Sequence, residues 1–273
     1  MKQLIIFFIA YGFGIYTYAQ NPIKILPSKA VHGPDNGSLV IIGGGTVVSE
    51  IWDEIIKLGG GADKARFVVV TNASGEGEDF HSAAIDTLSR RLGADKVTRF
   101  HLKTISDAND SKELEVLRQA TGIYFSGGRQ WRIADAYLNT LAHQEFFNLL
   151  SRGGVIAGSS AGASIQGSFL WRGDTSGPNI LIGDHTQGLG FLKNSAIDQH
   201  LIVRNRQFDL VDFIKQAPQF IGLGLDESTA VVVQKDDLEV IGKSVVAIYD
   251  HSSPFFFLHK KQHYDLKERK IKK

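Results

Sequence analysis

Gly158, Ser160 and Gly162 set a serine between two glycines, each two residues away, in the stretch VIAGSSAGASIQG at 155–167. An apolar run leads straight into it, so the serine falls where a buried strand hands over to a helix. That is the G-x-S-x-G spacing of a nucleophile elbow, a strained turn that lifts a hydroxyl above a sheet and leaves room only for glycine-sized neighbours. Ser159 would have alanines in those places, Ser164 a glutamine on one side, and Ser168 falls inside the helix the pattern predicts. The spacing selects Ser160. Small residues also let a helix pack closely on a sheet, so the elbow has to be weighed with its partners. A serine nucleophile needs a base for its proton and N–H donors for the oxyanion. The N–H of Ala161, first in the predicted helix, supplies one donor, and the loop SGGRQ at 126–130 is the candidate for the second.

Nine histidines compete for the base. His185 and His200 follow Ser160 and sit among polar residues, whereas His251, His259 and His263 belong to late strands and the tail. The segment DQHLIVRNR at 198–206 gathers an acid, an amide, an imidazole and two arginines. Taken alone it reads as a polar surface loop.

The elements that must position these residues alternate. SLVIIGGG (38–45), RFVVVTNAS (66–74), KVTRFHL (96–102), GIYFSGG (122–128) and GVIAGSS (154–160) read as buried strands. Between them run helical stretches, such as the one in which Val48, Ile51, Trp52, Ile55 and Ile56 recur at helical spacing. Such alternation predicts a single α/β domain with a mostly parallel sheet covered by helices on both faces. FIGLGLDE, TAVVVQ, DLEVIG and SVVAIYD add later strands whose short spacing predicts C-terminal hairpins. Ligands of such sheets bind beyond the carboxyl ends of the strands, and there lie Gly43 to Gly45, Ser126 to Gln130, Gly158 to Gly162 and Asp226-Glu227. Placement points to one shared site. Gly43 and Gly45 also fit the start of a nucleotide-binding G-x-G-x-x-G, but Val48 occupies the third glycine's place.

The chain has 273 residues, 43% hydrophobic and 22% charged, with no cysteine. Residues 1–19 combine one lysine, an apolar stretch and the small residues Thr17 and Ala19, the layout of a cleavable secretion signal. Export is therefore the expectation, to the periplasm or beyond the cell, with no membrane anchor after cleavage and no disulfides in the mature protein. A basic tail, 259–273, carries about +5 and the remainder about −4. The acidic body argues against a nucleic-acid partner, and the tail is expected to be solvated and frayed.

Together the segments resemble peptidase family S51, the cyanophycinase and dipeptidase E group. SGGRQ resembles its G-G-x-Q segment, GSSAGAS its G-x-S-A-G-A elbow, DQHLIVRNR its D-Q-H-F-x-x-R-x-R segment and GLGLDESTA its G-x-G-x-D-E-x-T-A strand end. The D-Q-H and D-E-x-T-A segments point to the cyanophycinase branch. The resemblance implies a fold related to class I glutamine amidotransferases, extending over 20–258. It implies Ser160 as nucleophile, His200 as base, and an oxyanion hole from the N–H groups of Gly128 and Ala161. Glu227 would be the acid, with Asp174 second because an order of serine, acid, histidine would favour it. Gln130, Asp198, Gln199, Arg204 and Arg206 would bind substrate.

The resemblance thus implies an exported serine hydrolase that cleaves cyanophycin or related aspartyl peptides through an acyl-enzyme, with no metal or cofactor. Relatives are commonly dimers, so a homodimer is among the expectations. Two departures bear on substrate: Leu201 replaces the family's phenylalanine, and Asp209 stands where a third arginine is expected, reversing the charge there. The alternative function is a non-catalytic domain of the same fold holding an anionic metabolite.

Overall fold

The computed structural model describes residues 30–75, 82–102, 104–250 and 253–272; the expected secretion signal lies outside them. The first half of the chain alternates as its apolar runs require. It passes through β1 (Ser38–Ile42), α1 (Ser49–Leu58), the single turn α2 (Gly61–Lys64), β2 (Phe67–Val70), α3 (Ala83–Leu92), β3 (Val97–Phe100) and α4 (Glu115–Gln119). Then come β4 (Gly122–Phe125), α5 (Gln130–Tyr137), α6 (Leu141–Ser151), β5 (Val155–Ser159) and another single turn, α7 (Ala161–Ser164). Strands β1, β5, β4, β2 and β3 lie side by side in that order, all parallel. Leu39 and Ile41 face a core shared with α5 and α6, while Val40 and Ile42 face one shared with α1 and α3. Both faces are covered, which is why β1 is apolar at four successive positions.

The second half departs from simple alternation. It comprises β6 (Gly167–Phe169), β7 (Leu192–Gln199), α8 (Val211–Gln216), β8 (Ile221–Leu225), β9 (Thr229–Gln234), β10 (Asp237–Gly242), β11 (Val246–Asp250), β12 (Ser253–Leu258), β13 (His263–Asp265) and β14 (Lys270–Ile271). Strands β9, β10, β13 and β14 extend the first sheet antiparallel from β1. Strands β12, β11, β8, β7 and β6 form a second sheet, parallel from β6 to β8 and antiparallel beyond. Ile197, Leu223, Leu225 and Ile248 of the second sheet share one core with Leu39, Ile41 and Val231 of the first, making a single domain.

Three expectations change. The hairpins are β9–β10 and β11–β12, whereas β10 and β11 belong to different sheets. The helix after the elbow is one turn, so Ser168 lies in β6 rather than in a helix. The tail is not frayed: β13 pairs with β10, and Tyr264 and Leu266 are fully buried. Alternate apolar residues, not net charge, decide that segment's fate.

Candidate active site

Ser160 follows β5 with φ 56° and ψ −112°, outside the basins a residue with a β-carbon normally occupies. Its N–H donates to the Ile42 carbonyl at 3.0 Å, and its carbonyl accepts from Ala163 at 2.9 Å and Ser164 at 3.1 Å. A neighbouring strand and α7 thus hold the strain from both sides. The flanking glycines are sterically required. A β-carbon on Gly158 would stand 2.2 Å from the Gly162 carbonyl oxygen, and one on Gly162 would stand 2.0 Å from that of Phe125.

Ser160 Oγ is 2.9 Å from His200 Nε2, and His200 Nδ1 is 2.6 Å from Glu227 Oε1. A carboxylate only accepts, so Nδ1 carries the ring proton, Nε2 is the acceptor and the Ser160 hydroxyl donates. His200 and Glu227 follow the adjacent parallel strands β7 and β8, in which Gln199 is level with Leu225. Burial holds the His200 pKa below the usual imidazole value; the Glu227 hydrogen bond opposes this, and the nearby Arg204 and Arg206 charges add to it. The ring is therefore neutral at neutral pH and free to take a proton.

The glycine triplet after β1 forms the wall behind this pair. Gly43 O accepts the His200 N–H at 2.8 Å and Gly44 O accepts the Ser228 N–H at 3.0 Å. A β-carbon on Gly44 would lie 2.3 Å from His200 Cε1, and one on Gly45 would lie 2.5 Å from Glu227 Oε2. The triplet serves close approach of backbone to imidazole and carboxylate, a role its resemblance to a nucleotide loop conceals.

The turn after β4 approaches the serine from the other side: a β-carbon on Gly127 would be 3.5 Å from Ser160 Cβ. Gly128 has φ 140°, and a β-carbon there would meet the Ala73 carbonyl oxygen at 2.3 Å. The N–H groups of Gly128 and Ala161 have no acceptor among the described residues. Beside Ser160 opens a cavity of about 590 Å³ lined by Thr71, Ser82, Thr87 and Ser126 and by Trp52 and Tyr124, whose rings stack. That volume suits a small peptide.

Other expected site residues lie elsewhere in the hydrogen-bond network. Asp174 accepts from the N–H groups of Ser176 at 2.8 Å and Asp184 at 3.2 Å, within its own loop, and is not the carboxylate on the histidine. His185 is held between Asp184 and Asp135, each at 2.8 Å, away from the serine. Gln130 spends its amide nitrogen on the carbonyls of Trp171 at 2.8 Å and Arg172 at 2.9 Å.

Asp198, fully buried at the end of β7, accepts from Arg172 Nε at 2.9 Å and Trp171 Nε1 at 3.2 Å, and pairs with Arg206 at 3.4 Å. Arg206 also donates to the Gln199 side-chain oxygen at 2.7 Å. Gln130, Asp198, Gln199 and Arg206 are thus tied into buried pairing within the protein. Arg204 is the exposed arginine of the segment. Asp209 is bonded to Arg172, so its charge is answered inside the molecule. Nothing in the spacing of WRGD announces that Arg172, 26 residues before Asp198, will join this cluster.

The sequence profile of peptidase family S51 matches residues 39–241. A cyanophycinase of Geminocystis herdmanii is 30% identical over 231 residues, 82% of this chain and 84% of that protein. One of Trichormus variabilis is 32% identical over 195 residues, 70% of this chain and 65% of the relative. Among solved structures, a peptidase from an acI-B1 actinobacterium superposes with a TM-score of 0.67 at 24% identity, over 86% of this chain and 98% of its own. A putative peptidase E protein from Listeria monocytogenes does so at 0.52 and 15% identity, over 76% and 99%. These two likenesses show a shared fold. The family match spans the elbow, the histidine and the carboxylate alike: the chain belongs to peptidase family S51 and is a serine-type peptidase.

Proposed function

We propose that the protein cleaves aspartyl or β-aspartyl peptides of the cyanophycin type through an acyl-enzyme on Ser160. The observation that carries the mechanism is the continuous hydrogen-bonded path from Ser160 through His200 to Glu227, at 2.9 and 2.6 Å. His200 takes the hydroxyl proton as Oγ attacks the scissile carbonyl, and Glu227 stabilises the imidazolium that results. The N–H groups of Gly128 and Ala161 receive the oxyanion, where one donor typically contributes ~3 kcal/mol to the transition state. His200 then returns the proton to the leaving amine. Water, deprotonated by the same ring, releases the acyl group.

The substrate class is supported by the relatives named cyanophycinase at 30–32% identity and by the exposed guanidinium of Arg204, suited to a carboxylate. We further propose that residues 1–19 direct export and are removed, a reading tested by the N-terminal sequence of protein recovered outside the cytoplasm.

The central test is reaction with a fluorophosphonate, with the adduct located by mass spectrometry, together with turnover of cyanophycin and of β-aspartyl dipeptides. Ser160→Ala should abolish both labelling and hydrolysis with the fold intact. Labelling that persists in Ser160→Ala and disappears in Ser159→Ala would move the nucleophile. A wild type that the probe never modifies would leave a binding domain as the better description.

A further inference from the structure

His200 adopts φ 55°, a strained conformation for a residue with a β-carbon that persists only when its surroundings impose it. Before the ring, the His200 N–H is fixed to Gly43 O at 2.8 Å. After it the chain turns through 201–205, and the Arg204 N–H closes back on His200 O at 3.0 Å. The Leu201 N–H goes to Leu225 O at 3.1 Å, and the N–H groups of Ile202 and Val203 have no partner within the turn itself.

The side chain of Asp226, only 6% exposed, takes them up. Its Oδ1 accepts from the Ile202 N–H at 3.0 Å and the Val203 N–H at 3.3 Å. Its Oδ2 accepts from the Ser244 hydroxyl at 2.7 Å, which fixes the carboxylate's rotation. Asp226 thus caps the turn as an aspartate caps the start of a helix, but from a different strand. Its neighbour Glu227 holds the ring. Two consecutive carboxylates therefore grip one histidine, one at the imidazole and one at the backbone beyond it.

We propose that Asp226 is a positioning residue for the reaction at Ser160, setting the place of the His200 imidazole by capping the turn that follows it. The inference rests on Ser160 and His200 reacting together. What the turn needs is an acceptor, not a charge: Asparagine keeps an oxygen for both N–H groups and can still meet Ser244, whereas alanine offers nothing.

The test is the rate of fluorophosphonate labelling of Ser160 as a function of pH, in the wild type, Asp226→Asn and Asp226→Ala, with circular dichroism to follow the fold. Asp226→Asn should label within about threefold of the wild type, whereas a displaced ring should slow Asp226→Ala about tenfold or more. The acid limb of Asp226→Ala should also move to lower pH, because the Glu227 contact that raises the His200 pKa loosens. General destabilisation of the fold would not move that limb. Wild-type labelling by Asp226→Ala, or equally slow labelling by Asp226→Asn, overturns the proposal.

Should Asp226→Ala fail to fold, Asp226→Glu keeps the charge but shifts the oxygens by one methylene. It should label about tenfold more slowly, and an unchanged rate overturns the proposal. A wild type inert to the probe overturns the serine mechanism, and this proposal with it. An active wild type beside an unaffected Asp226→Ala overturns this proposal alone.

Discussion

On the His200 ring, burial lowers the pKa, Glu227 raises it, and the charges of Arg204 and Arg206 lower it further. The base is active when neutral, so the acid limb of labelling or turnover should lie below the ordinary imidazole value of about 6.5. Arg204 is exposed, so its share is screened by salt. Arg204→Gln removes a repelling charge, and the limb should move to higher pH, as it should in the wild type when salt is raised. A limb that ignores both changes would leave burial and the buried Arg206 as the cause. The two candidate acids can be separated in the same way. Glu227→Gln leaves the imidazolium without its counter-charge and should slow turnover roughly a hundredfold or more. Asp174→Asn alters a loop contact and should leave the rate near that of the wild type. Rates in the opposite order would return the role to Asp174.

The strand ends determine how closely these residues can approach. Gly44 is the sharpest case: with φ 118° and a would-be β-carbon 2.3 Å from His200 Cε1, Gly44→Ala must push the ring off the serine. It should lose about a hundredfold or more in labelling rate while the melting temperature changes far less. Equal losses in rate and stability would make the triplet merely a turn. Those strand ends were legible in the sequence because βαβ alternation announces itself through apolar runs, and the elbow because its steric rule fixes residue types at set offsets. The segment around Asp198 was not. LKNSAIDQ lacks the pattern of a buried strand, yet β7 is interior, because Arg172 and Arg206 neutralise Asp198 from positions no local window connects. A buried charge needs a partner, and that partner is specified by the fold rather than by its neighbours in the chain. The pairing of Arg206 with Asp198 is illegible in the sequence for the same reason.

Across the whole molecule, the basic ending is a working edge of the first sheet. Tyr264 is fully buried and its hydroxyl donates to Asp250 Oδ2 at 3.0 Å. Tyr264→Ala should cost about 3–5 kcal/mol, read as a fall in the denaturation midpoint. A silent substitution would mean that the last strands contribute nothing to the core. The two-sheet plan also divides the reacting atoms. The nucleophile rides on β5 of the first sheet, while its base and carboxylate ride on β7 and β8 of the second. The Ser160–His200 bond of 2.9 Å spans that seam beside the backbone bond from His200 N–H to Gly43 O at 2.8 Å, so a slip of one layer against the other would part serine from imidazole. The phosphonate rate is therefore a gauge of alignment between the layers, readable without knowing the natural substrate. On heating, it should fade while the circular dichroism of both sheets still stands.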